Sequence, residues 1–221
     1  FGQGCEVDPL MKPDLLVESV RLFRSRGGAG TVNCNTNASR TEAVERLARA
    51  GLSSIRVSLN SARPEVYERY YRPHGYSFDD VRRSIAVARQ NGLWVSLNLL
   101  FFPGVTDSEG ELEALARLVG ENGVSMIQWR NLNIDPEWYL GLMRGIDHGP
   151  VMGLSLFMKR LKKLCPWLRF GYFNPYVGEK AELTAPLPGQ WRMPDLSVAD
   201  APLAGPASED AAGEADTEAE E

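Results

Sequence analysis

Two kinds of hydrophobic pattern alternate along this chain of 221 residues. Apolar residues spaced three and four apart predict amphipathic helices, and short apolar runs between them predict buried strands. Strands that alternate with helices form βαβ units, which cross over right-handed into a parallel sheet, so the pattern predicts an α/β fold. Helices are predicted over 12–26, from a Ser39–Glu42 capping box to Ala50, over 65–71 and 77–91, from a Ser108–Glu111 cap to Gly123, and over 154–164; strands are predicted over 31–35, 54–59, 93–100, 125–129 and 167–173.

Polar residues lie near the ends of these predicted strands. In a strand buried on both faces such residues are unfavourable unless they contact water, each other or a ligand. In parallel α/β folds ligands gather at the carboxyl ends of the strands. Polar residues at the end of a single strand are common. Polar residues at the ends of several successive strands predict that these side chains share one edge of the sheet, here called the rim. The residues predicted at this rim are Asn37, Ser58, Asn60, Asn98, Gln128 and Arg130.

The charge is unevenly distributed and suggests three regions. The net charge is −5, but the stretch from Asp200 to Glu221 carries eight acidic residues and no basic ones. A folded core is predicted over 1–175 and an extended, proline-rich segment over 176–196. Residues 197–221 contain too few apolar side chains to offset the entropy of ordering, so a disordered acidic tail is predicted there.

The cysteines and the hydropathy narrow the cellular context. Cys5, Cys34 and Cys165 are few and far apart in the sequence, which favours a reducing cytoplasm over a disulfide framework. Each cysteine is interpreted as a small buried hydrophobe. No apolar run reaches the roughly 18 residues that span a bilayer, and no leader marks secretion, so no membrane partner is expected.

Several other chemistry-bearing residues are interpreted as structural. Tyr67 and Tyr71 are spaced four apart, which favours helix packing over stacking on nucleic-acid bases. His74 and His148 lack partners at metal-ligand spacing. The basic residues around Lys159 predict a solvated helix face.

Four motifs in this order resemble the radical SAM enzymes over roughly residues 1–135. They read Gly-Cys-Glu-Val-Asp-Pro-Leu at 4–10, Thr-Asn-Ala-Ser at 36–39, Ile-Arg-Val-Ser-Leu-Asn-Ser at 55–61, and Val-Ser-Leu-Asn at 95–98 with Phe-Pro-Gly-Val-Thr-Asp behind it. The third motif, followed by Arg-Pro-Glu-Val-Tyr, is the most specific. The stretch is similar to the second through sixth strands of that family.

The resemblance implies a fold and a chemistry. The fold is a partial (β/α)6 barrel of the TIM type with outer helices, here truncated at its N-terminus. The cofactors are S-adenosylmethionine (SAM) and a [4Fe–4S] cluster, whose electron cleaves the sulfonium to a 5′-deoxyadenosyl radical that abstracts hydrogen from a substrate. The implied partners are this small-molecule cofactor, an electron donor such as a flavodoxin or ferredoxin, and a substrate that the motifs do not specify.

The resemblance also assigns roles to particular residues. The family's Gly-Gly-Glu-Pro motif receives the methionine amino group, and two alignments are open: one uses Gly4 and Glu6, and the slightly preferred one uses Asp8, because the proline and leucine after it match. Ser58 and Asn60 resemble residues that meet the methionine carboxylate or the ribose. A ribose contact is implied for Asn98, and contacts to the adenine or the substrate for Gln128 and Arg130.

One departure from the family is severe. Its cluster is held by three thiolates in a Cys-x3-Cys-x2-Cys loop after the first strand, and no such spacing occurs in this sequence. That loop is expected upstream of Phe1, so the chain is interpreted as a fragment that is inactive alone. Two alternatives stay open: a cluster-less barrel that binds a nucleotide-like ligand without catalysis, and another parallel-barrel enzyme such as an aldolase or epimerase. An aldolase or epimerase would require a lysine at a strand end or a pair of carboxylates, and neither occurs on the clearly predicted strands.

Overall fold

The protein is described here from a computed structural model, which covers residues 1, 7–171, 175–177 and 183–200. None of the helices within these ranges combines the length and the apolar character needed to cross a membrane. The α-helices are α1 (Pro13–Ser25), α2 (Thr41–Ala50), α3 (Pro64–Tyr71), α4 (Phe78–Gln90), α5 (Glu109–Asn122), α6 (Pro136–Leu142) and α7 (Leu154–Leu164). The strands are β1 (Asn33–Thr36), β2 (Ser54–Leu59), β3 (Trp94–Phe101), β4 (Met126–Asn131) and β5 (Arg169–Phe170), and short 3-10 helices cover Pro9–Met11 and Leu196–Ala199.

The five strands form one parallel sheet in which spatial order follows chain order, β1-β2-β3-β4-β5. When every crossover is right-handed and moves in the same direction, all the connecting helices fall on one face of the sheet. In agreement, α1, α2, α4, α5 and α7 pack against one another in succession. The sheet is an open half-barrel and does not close, which confirms the predicted partial barrel with outer helices.

The two faces of the sheet differ in polarity because side chains alternate along each strand. The face beneath the helices, here called the outer face, carries fully buried aliphatic residues: Val57, Leu59, Leu97, Leu99 and Ile127. The opposite face, here called the inner face, carries the alternate positions. Burial of the outer face provides the main hydrophobic stabilisation and leaves the inner face available for polar groups.

Phe1 lies beside β1 at the edge of the sheet. Its amino group donates to the Asn33 carbonyl oxygen over 2.8 Å, and its own carbonyl oxygen accepts from the Asn35 N–H over 3.0 Å. These two bonds flank Cys34 in the pattern of a parallel strand pair. The described chain therefore begins in register with the sheet.

Most helix and strand boundaries agree with the predictions to within two residues, but the start of α2 differs. The predicted Ser39–Glu42 capping box is wrong, since α2 begins at Thr41 and its N-cap residue, Arg40, makes no side-chain cap. The Ser39 N–H is instead bound by the Asn37 side-chain oxygen over 3.0 Å in an Asx turn. Helix α6 was not predicted; it is seven residues long and is capped by Asp135.

The first residues of the predicted acidic tail, 197–200, are among the described residues. The segment Leu196–Ala199 forms a 3-10 helix that packs on α7, with Ala199 buried. Lys163 donates to the Ala199 carbonyl oxygen over 3.0 Å, and Arg160 pairs with Asp200 over 3.0 Å. Two cations on α7 thus hold the first residues of a region whose composition predicted disorder. Residues 201–221 lie outside the described ranges.

Candidate functional site

Three of the predicted rim residues form one row across the inner face. Ser58 on β2 is the register partner of Asn98 on β3, and Asn98 is the register partner of Gln128 on β4. Neighbouring strands lie about 4.8 Å apart, so the three side chains stand side by side. Ser58 is the last residue but one of β2, whereas Asn98 and Gln128 lie near the middle of β3 and β4.

Asn98 contributes a buried acceptor atom to this row. Its side chain is half-buried, and its Oδ1 atom is buried without a hydrogen-bond partner among the described residues. A buried acceptor without a donor costs about 1–3 kcal/mol. Such an acceptor fits a ligand that brings a hydroxyl or amino donor to the inner face, as the ribose of SAM would.

Gln128 is engaged by an arginine that sequence reasoning missed. Arg56 on β2 donates from Nη1 to Gln128 Oε1 over 2.9 Å, reaching across β3 to do so. The pKa of Arg56 is lowered, first by partial burial and second by the positive charge of Arg130 on β4. The available signal was the period of two, which places residue 56 on the same face as Ser58.

Asn60 is placed differently from the rest of the predicted rim. It is fully buried, and its Nδ2 donates to the Val66 carbonyl oxygen over 3.3 Å and to the Tyr139 hydroxyl over 3.5 Å. Tyr139 belongs to a second apolar cluster, formed mainly by Val66, Val105 and Met143. Asn60 therefore ties the end of β2 to α3 and α6.

Asp8 joins the segment before α1 to the end of β1. Its carboxylate accepts from the Leu10 N–H over 2.9 Å, from the Thr36 hydroxyl over 2.9 Å and from the Asn37 N–H over 2.6 Å. Ala38, next in the chain, is buried with φ +56°, a left-handed conformation that strains an alanine and that a bond from its N–H to Thr36 Oγ1 supports. Gly4 and Glu6, the alternative ligands for the amino group, lie outside the described residues.

The two described cysteines do not form a cluster site. Cys34 lies at a buried outer-face position of β1, and Cys165 follows α7; both are free and buried, as predicted. Burial raises the pKa of each thiol to about 12, so neither supplies a thiolate at neutral pH. Within the described ranges, no group of three or more His, Cys, Asp and Glu side chains is arranged to hold a metal ion. These residues therefore do not fit a [4Fe–4S] cluster.

Glu111 on α5 is a second residue that sequence reasoning misread. The Ser108 hydroxyl accepts from the Glu111 N–H over 3.3 Å, as the predicted cap requires. The Glu111 carboxylate, however, is buried and does not take part in the cap. It accepts from the Ser61 hydroxyl and from the Ala62 N–H, directly after Asn60. Desolvation by burial raises the pKa of Glu111 to about 7, against the two hydrogen bonds, which lower it.

A parallel half-barrel with outer helices and a polar inner face is the architecture of barrel enzymes that bind their ligands at the strand ends. The sequence model of the Radical SAM superfamily matches residues 5–118, which is more than half of the chain. The chain belongs to the radical SAM superfamily, whose members use SAM and a [4Fe–4S] cluster.

Individual relatives agree with this family. A GTP 3',8-cyclase of Streptomyces coelicolor is 32% identical over 105 residues, which are 46% of this chain and 30% of that protein. The chain thus spans less than a third of the curated relative it matches. Among solved structures, HydG, a maturase of the [FeFe]-hydrogenase, is similar with a TM-score of 0.51 at 16% identity over 76% of this chain and 40% of that one. Methylornithine synthase (PylB) is similar with a TM-score of 0.48 at 14% identity over 81% of this chain and 60% of that one.

Proposed function

We propose that the inner face of this half-barrel binds SAM and that the whole protein is a radical SAM enzyme. The observation that carries the proposal is the row formed by Ser58, Asn98 and Gln128 within a barrel of this superfamily, with a buried Asn98 oxygen that has no donor among the described residues. Asn98 accepts from a ribose hydroxyl, and Ser58 contacts the ribose or the methionine carboxylate. Gln128 and Arg130 lie by the adenine or the substrate.

The methionine amino group needs an acceptor at the β1 end of the row. Asp8 supports this role, because an ionised carboxylate offers about four lone-pair positions and three donor groups bind to it, which leaves capacity for a further donor. These bonds fix Asp8 beside Asn37 at the end of β1. Glu6, with Gly4, is the other candidate. Asn60 acts from beneath the rim by fixing the end of β2.

The cluster ligands are proposed to lie upstream of Phe1 in the whole protein. This follows from the chemistry of the described thiols, which are buried and protonated, and from the absence of another three-ligand group in the described ranges. A cluster held there would supply the electron that cleaves SAM, and an electron donor such as a flavodoxin or ferredoxin would reduce it. The residues of this chain hold and orient the cofactor and exclude water from it.

The substrate is left open by the comparisons. The likeness to the GTP 3',8-cyclase covers 105 residues of the barrel, the part that members of this superfamily share. It therefore supports the cofactor and not GTP as a substrate. A second candidate function is a cluster-less barrel that binds a nucleotide-like ligand without catalysis. It is favoured because the two described cysteines are unsuitable as cluster ligands.

One experiment tests both candidates. The protein expressed from the complete gene is reconstituted anaerobically with iron and sulfide, reduced with dithionite, and supplied with SAM. Release of 5′-deoxyadenosine and methionine is expected, together with SAM binding measured by calorimetry. SAM binding without cleavage, in a protein that takes up no iron, selects the non-catalytic module. A protein that assembles its cluster but neither binds nor cleaves SAM contradicts the proposal.

A further inference from the structure

Arg56 on the inner face has no charged partner among the described residues. The other arginines withdrawn from solvent are anchored by oxygen atoms: Arg24 by three carbonyl oxygens and the Ser53 hydroxyl, Arg89 by two carbonyl oxygens, and Arg160 by Glu109 and Asp200. Arg56 is half-buried and makes one hydrogen bond, to the neutral amide of Gln128. Within the described ranges, no carboxylate forms a salt bridge with it.

A second positive charge lies on the same face. Arg130 stands two residues after Gln128 on β4 and is exposed. The pKa of Arg56 is lowered first by the partial burial of its own guanidinium and second by the charge of Arg130. A partly buried guanidinium is stabilised when an anion reaches it. A guanidinium presents five N–H donors in a fork that matches a carboxylate or a phosphate, and Arg56 uses one of them on Gln128.

The backbone of Arg56 lies below the row proposed to hold SAM, while its guanidinium reaches up to the Gln128 amide in that row. Arg56 precedes Ser58 by two residues on β2, and its register partner on β3 is Ser96, not Asn98. At about 3.3 Å per residue it originates roughly 7 Å below that row, toward the amino ends of the strands. The Gln128 amide connects the two levels, because it belongs to the row and accepts the Arg56 bond.

We propose that Arg56, which Gln128 orients, binds the carboxylate or phosphate group of the substrate next to the row that is proposed to hold SAM. The assignment of the anion to a substrate rests on the proposed function. The class of substrate is then an anionic metabolite that enters the half-barrel with its charged group first. Gln128 is the positioning residue, since its oxygen holds the guanidinium fork across β3.

The test uses the whole protein without added substrate, and its probes are inorganic phosphate and malonate at constant ionic strength. Thermal unfolding is recorded as each anion replaces chloride. A saturable rise in Tm is expected for the wild type, with an affinity that falls by about tenfold or more in Arg56→Gln, because a hydrogen bond to a charged group is worth about 1.5–3 kcal/mol. Arg56→Lys keeps the charge without the fork and is expected to recover part of the affinity. Arg21→Gln, an exposed arginine of α1, is the matched control and is expected to behave as the wild type.

SAM titration of the same variants separates the two possible sources of the anion. If a substrate group occupies the site, Arg56→Gln binds SAM within about threefold of the wild type, since the lost bond is not made to SAM. A parallel loss of SAM affinity assigns the anion to the methionine carboxylate and overturns the proposal. Equal anion affinity in Arg56→Gln and wild type, or no saturable response of the wild type, also overturns it. Failure of the wild type to bind SAM contradicts the proposed function, while the phosphate and malonate titrations still decide whether the anion site exists.

Discussion

The Glu111 carboxylate accepts a hydrogen bond from the Ser61 hydroxyl and so joins the first turn of α5 to the loop that follows β2. The Ala62 N–H donates to the same carboxylate over 2.6 Å. Asn60, the residue before this pair, is thereby fixed on one side by α5 and on the other by Tyr139. A buried acid outside the predicted rim therefore determines where the rim of β2 ends.

Replacing Glu111 by Gln is expected to change the pH dependence of stability. The pKa of Glu111 is about 7 in the folded protein and about 4.5 as the model-compound value, so the folded state binds the extra proton. The stability contributed by this proton is complete below pH ~4.5 and is lost as the pH rises through about 7, by about 3 kcal/mol in all. The free energy of unfolding of Glu111→Gln minus that of the wild type should rise by this amount between pH 4.5 and 7.5, as measured by urea denaturation.

Glu68→Gln, at an exposed position of α3, is the control for this measurement, and its difference from the wild type should stay flat. A flat difference for Glu111→Gln as well would mean that the carboxyl group is ionised throughout the range.

Replacing Asn98 by Ala should separate ligand binding from stability. The Asn98 Oδ1 atom has no donor among the described residues, so its removal is expected not to lower the free energy of unfolding and to raise it by up to about 1–3 kcal/mol. The affinity for SAM should fall by about tenfold, the equivalent of one hydrogen bond. Calorimetry and urea denaturation on the same preparation measure the two effects. The control is Asn91→Ala, at the exposed C-cap of α4, which should leave the SAM affinity unchanged. If Asn98→Ala lost stability but kept its affinity for SAM, Asn98 would have a structural role.

Two glycines of α5 should respond oppositely to alanine. A Cβ atom on Gly120 would lie 2.2 Å from the Trp191 ring, so Gly120→Ala should displace the C-terminal segment from α5. A Cβ atom on Gly110 would meet the Arg63 side chain at 3.8 Å, an ordinary contact. Gly110→Ala should therefore stabilise the helix by up to about 1 kcal/mol, the difference between the two helix propensities. Tryptophan fluorescence and limited proteolysis of residues 183–200 check both outcomes, and equal behaviour of the two variants would contradict the packing of Trp191 on α5.

The described cysteines should be dispensable for iron binding. Burial keeps the thiols of Cys34 and Cys165 protonated, with pKa values near 12. After anaerobic reconstitution of the whole protein, the double variant Cys34→Ala, Cys165→Ala should hold the same iron per chain as the wild type. Its stability should be lower, because each substitution leaves a small buried cavity. A loss of iron in a variant that still shows a cooperative unfolding transition would place a cluster ligand at one of these residues.

Much of the architecture was readable from local pattern alone. The alternation of helices and strands, with glycine at positions such as Gly51 and Gly123 in the left-handed conformation that ends a helix, reflects short-range steric and hydrophobic preferences that act within a few residues. Helix α7 and strand β2 occupy the predicted ranges for this reason. Helix α6 was not predicted, because seven residues are too few to establish a period and its Tyr139 is buried by distant partners.

The sequence by itself indicated a parallel sheet of alternating helices and strands and predicted a common rim for Ser58, Asn98 and Gln128, because the period of each element is a local property of the chain. The tertiary structure decided which of the polar side chains remain available. Asn60 is buried against Tyr139, Glu111 turns from its own helix to the loop at Ser61, and Arg56 crosses to Gln128, 72 residues away. Desolvation and hydrogen bonding depend on which groups meet in space, and partners so far apart in the chain leave no mark in the local pattern.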